Sequence, residues 1–277
     1  MLPLRFSVVF ICAAALITGM AGANLHAAVI HVPYNYKNIQ DAVSNSQPAD
    51  TIIVHKGDYK DNIIVEKSIT IRSSEGFDTT AVKAINPSQP VFRISNASGV
   101  TISGFTITGS GMSGIYLQNS NNTAISDNRI VKNENGILLY SSNNNTISNN
   151  IVKSNEQYGI YLESSNNNTL KGNTADSNKD KGIFLSLSNH NNLANNSASL
   201  NTWNGIILWA SHNNTLKENS ILRNTYGLVI SDSEETTLID NTVWSNIYII
   251  LPAILVYIGI IFFFIQKRIF SFIYSEK

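Results

Sequence analysis

Cysteine is nearly absent. The single residue, Cys12, lies in an apolar N-terminal stretch, so the remainder of the chain carries neither a disulfide nor a thiol nucleophile. Charge is scarce too: 14% of the 277 residues are charged and the formal net charge is zero, so the basic footprint of a nucleic-acid binder is missing. Soft and imidazole ligands are also few. Outside the N-terminal stretch the candidates are His31, His55, His190, His212 and Met112, and none of their spacings closes a metal site. A fold without these supports must gain its stability from stacking.

What the chain has in abundance is a repeat. A glycine followed by Ile or Leu recurs at Gly114, Gly136, Gly159, Gly182, Gly205 and Gly227, in steps of 22 or 23 residues. Serines at Ser120, Ser142, Ser165, Ser188, Ser211 and Ser233 keep step with it, as do apolar residues at Ile125, Ile147, Leu170, Leu193, Leu216 and Leu238. So do the asparagines Asn128, Asn150, Asn173, Asn196, Asn219 and Asn241, and the variation in length falls between each of these and the next glycine. A unit this short cannot bury its own apolar face and must stack on copies of itself. The segment at each glycine alternates, as in Ile160-Tyr161-Leu162, and a further apolar residue lies two positions past each asparagine. Period two means strand. Three short strands separated by polar corners make one coil of a parallel β-helix, and the Asn and Gly content opposes a helical solenoid.

The asparagine column predicts a structural ladder. A buried corner Asn tolerates the left-handed conformation and passes amide hydrogen bonds to its equivalent one coil away, each worth about 0.5–1.5 kcal/mol net. The serine column fits either a second ladder or a solvated corner.

Around the repeats the chain divides into five parts. Residues 1–28 read as an export leader, with an early Arg5, an apolar run and small residues near Ala23. Residues 29–90 read as a cap and first coils: a strand at Val29, a short helix within residues 36–46 with Ile39 and Val43 on one face, and strand-like runs separated by turns such as Lys56-Gly57-Asp58. Residues 91–246 are the coils. Residues 247–265 hold no charge and suffice for a spanning helix, and the Lys267-Arg268 pair opening the tail, 266–277, places that tail in the cytoplasm. The last coil shows no cap, so the edge near Leu238 and Ile239 is expected to be covered by the lipid headgroup layer or by a second copy.

The motifs HVPYNYKNIQDAV, DTIIVHKGDYKDNIIVEKSITIRS and GVTISGFTI, followed by iterated GIYLESSNNNTLKGN, resemble the right-handed parallel β-helix proteins grouped with the periplasmic copper-binding NosD family and the carbohydrate-binding and sugar-hydrolysis domains. The resemblance covers about residues 29–246. It implies the fold, an all-β pectate-lyase-like solenoid, more than any one function, because such scaffolds carry lyases, hydrolases, binders and accessory proteins.

Chemistry is sparse on the positions that flank the Ile125 column. From Thr101 and Ser103 to Thr237 and Ile239 they hold no carboxylate, whereas glycoside hydrolysis needs two across the scissile bond. The loop from Asp176 to Gly182 alternates oxygen ligands as calcium loops do, but its glycine comes one residue late and Leu187 stands where a glutamate belongs. No cofactor is therefore expected, and the copper in the family's name is not carried to the histidines. Six sequons, at Asn96, Asn121, Asn144, Asn167, Asn195 and Asn213, arise cheaply in an Asn-rich repeat, and in an exported protein their corners are accessible to glycosylation.

The best candidate site is the outward side of the glycine-led strands. Tyr116, Tyr161 and Phe184 fall in one column and Tyr140, Glu163 and Trp209 in the next, an aromatic stripe with polar neighbours that suits a polysaccharide or cell-surface glycan. The reading is a non-catalytic binding or structural module anchored outside the cell. A carbohydrate-active enzyme with its residues in loops, or an accessory protein for metalloenzyme maturation, are the alternatives.

Overall fold

The computed structural model describes residues 27–245. Nearly all of the expected leader, the expected span and the tail lie outside the described residues, and among the described residues no helix is long and apolar enough to cross a membrane. The chain winds into a parallel β-helix with three faces. The first has ten strands, from Val29–Val32 at one end to Thr237–Ile239 at the other. The second has eight, from Ile63–Val65 to Tyr226–Ser231. The third runs through five strands from Gly57–Lys60 to Ile151–Lys153, continues by single bridges at Thr174 and Ser197, and ends in the pair Ser220–Asn224 and Thr242–Ser245. Where it narrows to single bridges, the buried residues are the small Ala175 and Ala198.

The repeat columns become hydrogen-bonded registers. Ile115, Ile137, Ile160, Ile183, Ile206 and Leu228 pair in sequence, as do Ile125, Ile147, Leu170, Leu193, Leu216 and Leu238. From Ile115 to Leu216 these side chains are fully buried, so the core is a stack of identical apolar layers. At the N-terminal end, strand Val29–Val32 pairs with Thr51–Val54, and helix Ile39–Asn45 buries Ile39, Ala42 and Val43. Asn38 caps that helix by accepting from the Asp41 amide, and the Asp61 carboxylate accepts from the amides of Ile39 and Gln40. Burial raises the Asp61 pKa, against the lowering effect of those amides. The expected turn at Lys56-Gly57-Asp58 is instead the start of the third face, with Gly57–Lys60 paired to Thr80–Lys83; the local turn composition yields to the ladder.

The asparagine column is a ladder. Each side-chain oxygen from Asn150 to Asn241 accepts from the preceding coil's Asn amide N–H at 2.9–3.1 Å and from its side-chain NH2 at 2.8–3.1 Å. One detail of the expectation is corrected: these asparagines do not take the left-handed conformation. The residue before each one does, at Asp127, Asn149, Gly172, Asn195, Glu218 and Asp240, with φ between 50° and 67°.

Three further ladders accompany it. Asn133, Asn155, Asn178, Asn201 and Asn224 form a second, always five residues past the first, so the true length variation is confined to the few residues between it and the next glycine. Asn145, Asn168, Asn191 and Asn214 form a third. The serines form the fourth: the backbone N–H from Ser120 to Ser211 donates to the next serine hydroxyl at 2.9–3.0 Å. Residues at positive φ precede all of these corners, including Lys132, Ser141, Asn144 and Leu187.

The glycine column answers to space rather than to φ. A Cβ on Gly159 would sit 2.6 Å from the Gly182 carbonyl and 2.7 Å from the Asn178 amide nitrogen, so the second ladder and the next coil exclude any side chain there.

Asn173 accepts two hydrogen bonds from Asn150 and donates from its side chain to Ile147 and Asn196. Asn173→Ala strands the buried Asn150 N–H and is expected to cost on the order of 3 kcal/mol. Lys179→Ala removes only an exposed 2.6 Å pair with Glu156 and is expected to cost less than about 1 kcal/mol. Urea or thermal unfolding of the two variants checks this, and equal losses would refute a structural ladder.

Candidate functional site

On the eight-stranded face the strands alternate, so every second side chain points outward. The ladder fixes two outward columns. The first reads Ile64, Arg93, Tyr116, Leu138, Tyr161, Phe184, Ile207 and Val229. The second reads Ser95, Gln118, Tyr140, Glu163, Ser186, Trp209 and Ser231. All six residues picked from the sequence therefore share one face, in the expected columns. They do not form one uniform stripe.

Tyr161 and Phe184 belong to a packed cluster. Their rings stack at 4.7 Å and 6°, Tyr158 sets its edge against both, and the Lys181 ammonium lies 4.8 Å from the Tyr158 ring while pairing with Asp180 at 2.9 Å. Each of the two stacked rings thus covers a face of the other. Burial, with the adjacent Glu163 carboxylate, pushes the Tyr161 hydroxyl up to about 12, so it remains a neutral donor throughout the physiological range. Tyr140 and Trp209 differ. They are 40% and 47% exposed, and neither has a stacking partner among the described residues. Glu163 and Ser186 stand between them in the same column.

At the N-terminal end the face gains a wall. Ile63 pairs with Phe92, 29 positions on, whereas Phe92 pairs with Ile115, 23 positions on. The extra residues fall between Lys83 and Val91 and are held by Asn62, whose side chain donates to the carbonyls of Asn86, Gln89 and Pro90 and accepts from the Asn86 amide. Ser110 grips the Gln89 carbonyl at 2.8 Å. Wall and sheet enclose a groove of about 370 Å³ lined by Asn62, Ser88, Gln89, Arg93, Met112, Tyr116 and Gln118 among others. Burial raises the Tyr116 pKa there, against the lowering effect of Arg93. Arg93 is the site residue that the sequence reading missed. Its signal was present, since Arg93 lies one 23-residue step before Tyr116, but that coil lacks the glycine that marks the others.

Elsewhere the candidates disperse. In the loop weighed for calcium, the Asp176 carboxylate accepts from Ser197 and from the Ser199 amide, and Asp180 pairs with Lys181. The outward side of the ten-stranded face carries Thr101, Ala124, Thr146, Thr169, Asn192, Thr215 and Thr237 in register. The two columns of the eight-stranded face hold one carboxylate, Glu163, and a single carboxylate does not supply both roles of glycoside hydrolysis. Of the sequons, Asn144, Asn167 and Asn213 stack at one exposed corner.

The parallel β-helix with a grooved, aromatic outer face defines the class of protein. The family described as periplasmic copper-binding protein (NosD) matches residues 43–203 and 158–252, and the chain belongs to that family. A cell surface glycoprotein of Methanothermus fervidus is 32% identical over 115 residues, which is 41% of this chain and 18% of that protein. Among solved structures, the pectate lyase Pel9A superposes with a TM-score of 0.57 at 14% identity, covering 76% of each chain. The alginate lyase of Paenibacillus sp. str. FPU-7 gives 0.51 at 14% identity, over 78% of this chain and 99% of that one. At such identity the likeness is one of fold.

The described residues do not fit the copper of the family description. Among the described residues no three of His, Cys, Asp and Glu converge. His31 Nδ1 and His55 Nε2 lie 2.9 Å apart, in hydrogen-bond contact with each other. His190 and His212 are corner residues, the His190 amide donating to the His212 carbonyl and the His212 ring accepting from the Glu234 amide.

Tyr161→Ala removes a stacked, half-buried ring and is expected to lower stability by about 1 kcal/mol, while Tyr140→Ala leaves the melting temperature unchanged. Differential scanning calorimetry reads both. Equal effects would show that the cluster and the free rings are not distinct.

Proposed function

We propose that this chain is a non-catalytic carbohydrate-binding β-helix displayed outside the cell. The observation that carries the reading is the pair of exposed, unstacked rings of Tyr140 and Trp209 in one column of a rigid face. They are three coils apart, about 14 Å, a span of a few sugar rings. Aromatic rings offer an apolar surface to the faces of sugars, and Gln118 and Glu163 in the same column offer an amide and a carboxylate to hydroxyl groups. Because the backbone that carries them is locked by ladders, little ordering entropy is lost on binding.

A double Tyr140→Ala, Trp209→Ala variant is expected to keep its melting temperature and to bind about tenfold more weakly or worse, each ring contributing about 0.5–1.5 kcal/mol. Affinity electrophoresis in a panel of polysaccharides, with a parallel assay of reducing ends, measures both binding and cleavage. Unchanged retention of the variant would remove this face. Cleavage by the parent would replace the binding module with an enzyme.

An extracytoplasmic location is supported by the family's periplasmic description and by the cell-surface relative. The reading adds an N-terminal export leader and one membrane span at 247–265, with the tail inside. It seats the last coil on the bilayer, where Leu238, Ile239 and Trp244 are 50%, 38% and 67% exposed. Truncation after residue 246 is expected to release the protein from the membrane fraction and to let this end self-associate, which light scattering reads. A full-length chain found in the soluble fraction, or a released chain that stays monomeric, would overturn the arrangement.

A further inference from the structure

We infer that the groove at the N-terminal end of the eight-stranded face seats an anionic group of the bound glycan, a carboxylate or sulfate carried by an acidic sugar. The inference rests on the carbohydrate reading and names the charge of one sugar within it.

Arg93 carries the argument. Its Nε donates to Ser95 Oγ at 3.0 Å and its Nη2 to Gln118 Oε1 at 3.0 Å, so the guanidinium is held in place by two neutral acceptors. It makes no ion pair among the described residues, unlike Arg129, which pairs with Asp78 at 2.9 Å. A guanidinium has five N–H donors in a planar fork; fixing it through two of them to neutral partners preserves its charge and leaves donors on both terminal nitrogens for a bidentate oxyanion.

The second observation is the wall. The longer spacing between the strands that carry Ile64 and Arg93 places extra residues beside this position, and in solenoids insertions of this kind map to loops on one face, often the binding face. Asn62 and Ser110 bind the wall's carbonyls, so the groove is formed before any ligand arrives. It is lined by the half-buried Tyr116 and the exposed Met112, and the Arg93 guanidinium reaches it from an exposed position.

Continuity with the stripe fixes the order of sugars. Gln118, which holds Arg93, pairs directly with Tyr140 in the next coil. A chain lying on Tyr140 and running back along the stack therefore brings another of its units to Arg93, two coils or about 10 Å away. In the other direction Glu163 follows Tyr140 and repels an acidic unit. The face is polar along its length: acidic sugar at Arg93, neutral sugars from Tyr140 to Trp209.

The test uses hyaluronan fragments, in which carboxylated and neutral sugars alternate, against the same fragments with their carboxyls reduced to alcohols, and a sulfated galactan against its desulfated form. Binding is measured to the parent, Arg93→Gln and Arg93→Lys. The parent is expected to prefer at least one acidic member of these pairs by about tenfold, with the preference shrinking at high salt, lost in Arg93→Gln and partly restored in Arg93→Lys. The pair that shows the preference identifies carboxylate or sulfate. Neutral probes should bind the parent and Arg93→Gln equally. If neutral probes bind and no acidic preference exists, or if Arg93→Gln keeps it, the inference fails and the carbohydrate reading stands. If no probe binds the parent, both fail together.

Discussion

The structure depends on one local event repeated at every corner: a residue at positive φ turns the chain, and the next side chain, Asn or Ser, turns inward and bonds the equivalent corner one coil away. The left-handed turn costs about 1–2 kcal/mol for a residue with a Cβ. The buried amide recovers it, since Asn173 alone engages the Asn150 amide N–H and side chain, the Ile147 carbonyl and the Asn196 carboxamide, at about 0.5–1.5 kcal/mol for each hydrogen bond. Neither half is stable without the other. A turned backbone would otherwise bury unsatisfied amide groups, and a buried amide away from a turn would find no aligned partner.

This coupling sets the period and the exclusions around it. Because the first two Asn columns are always five residues apart, the chain between them is a span of fixed length with a corner on each side, and its inward residue must fit what remains of the core. Ile130, Val152, Ala175, Ala198 and Ile221 fill that position, all fully buried. The glycine column then follows from packing. The second ladder's amide nitrogens lie 2.5–2.9 Å from where a Cβ would stand at Gly114, Gly159, Gly182 and Gly205. Glycine, asparagine and the coil length are thus one constraint seen at three positions.

The same physics decides what was legible in the sequence. Inward columns repeat because each must match the coil above and below, so strands, register and the first Asn ladder can be read from spacing alone. The second Asn ladder was equally periodic, and it was obscured by treating the residues between Asn and Gly as one variable gap. Which residue holds the positive φ is much less legible. Leu187, Leu200 and Lys132 adopt it, and nothing in their own chemistry marks them; the buried polar residue that follows is what imposes the turn. The outward columns were assigned correctly by alternation, yet alternation does not report contacts. Tyr161 and Tyr140 look alike in sequence, and only the stacked Phe184 and the edge of Tyr158 separate a packed ring from a free one.

Regularity also explains where variation collects. An inward residue is constrained by two neighbouring coils, so change there is costly; an outward residue meets solvent and is free to vary, which is why Arg93, Tyr116, Leu138, Tyr161 and Phe184 occupy one column without a common chemistry. A uniform cylinder still offers only a flat face. Concavity requires the repeat to break, and the broken coil between Ile64 and Arg93 supplies it, its added residues tied down by Asn62 rather than left as a mobile loop. The loss of the marker glycine in that coil and the presence of a groove are therefore linked: the departure from the pattern that hides Arg93 from a search for repeats is the departure that gives its guanidinium a wall to work against.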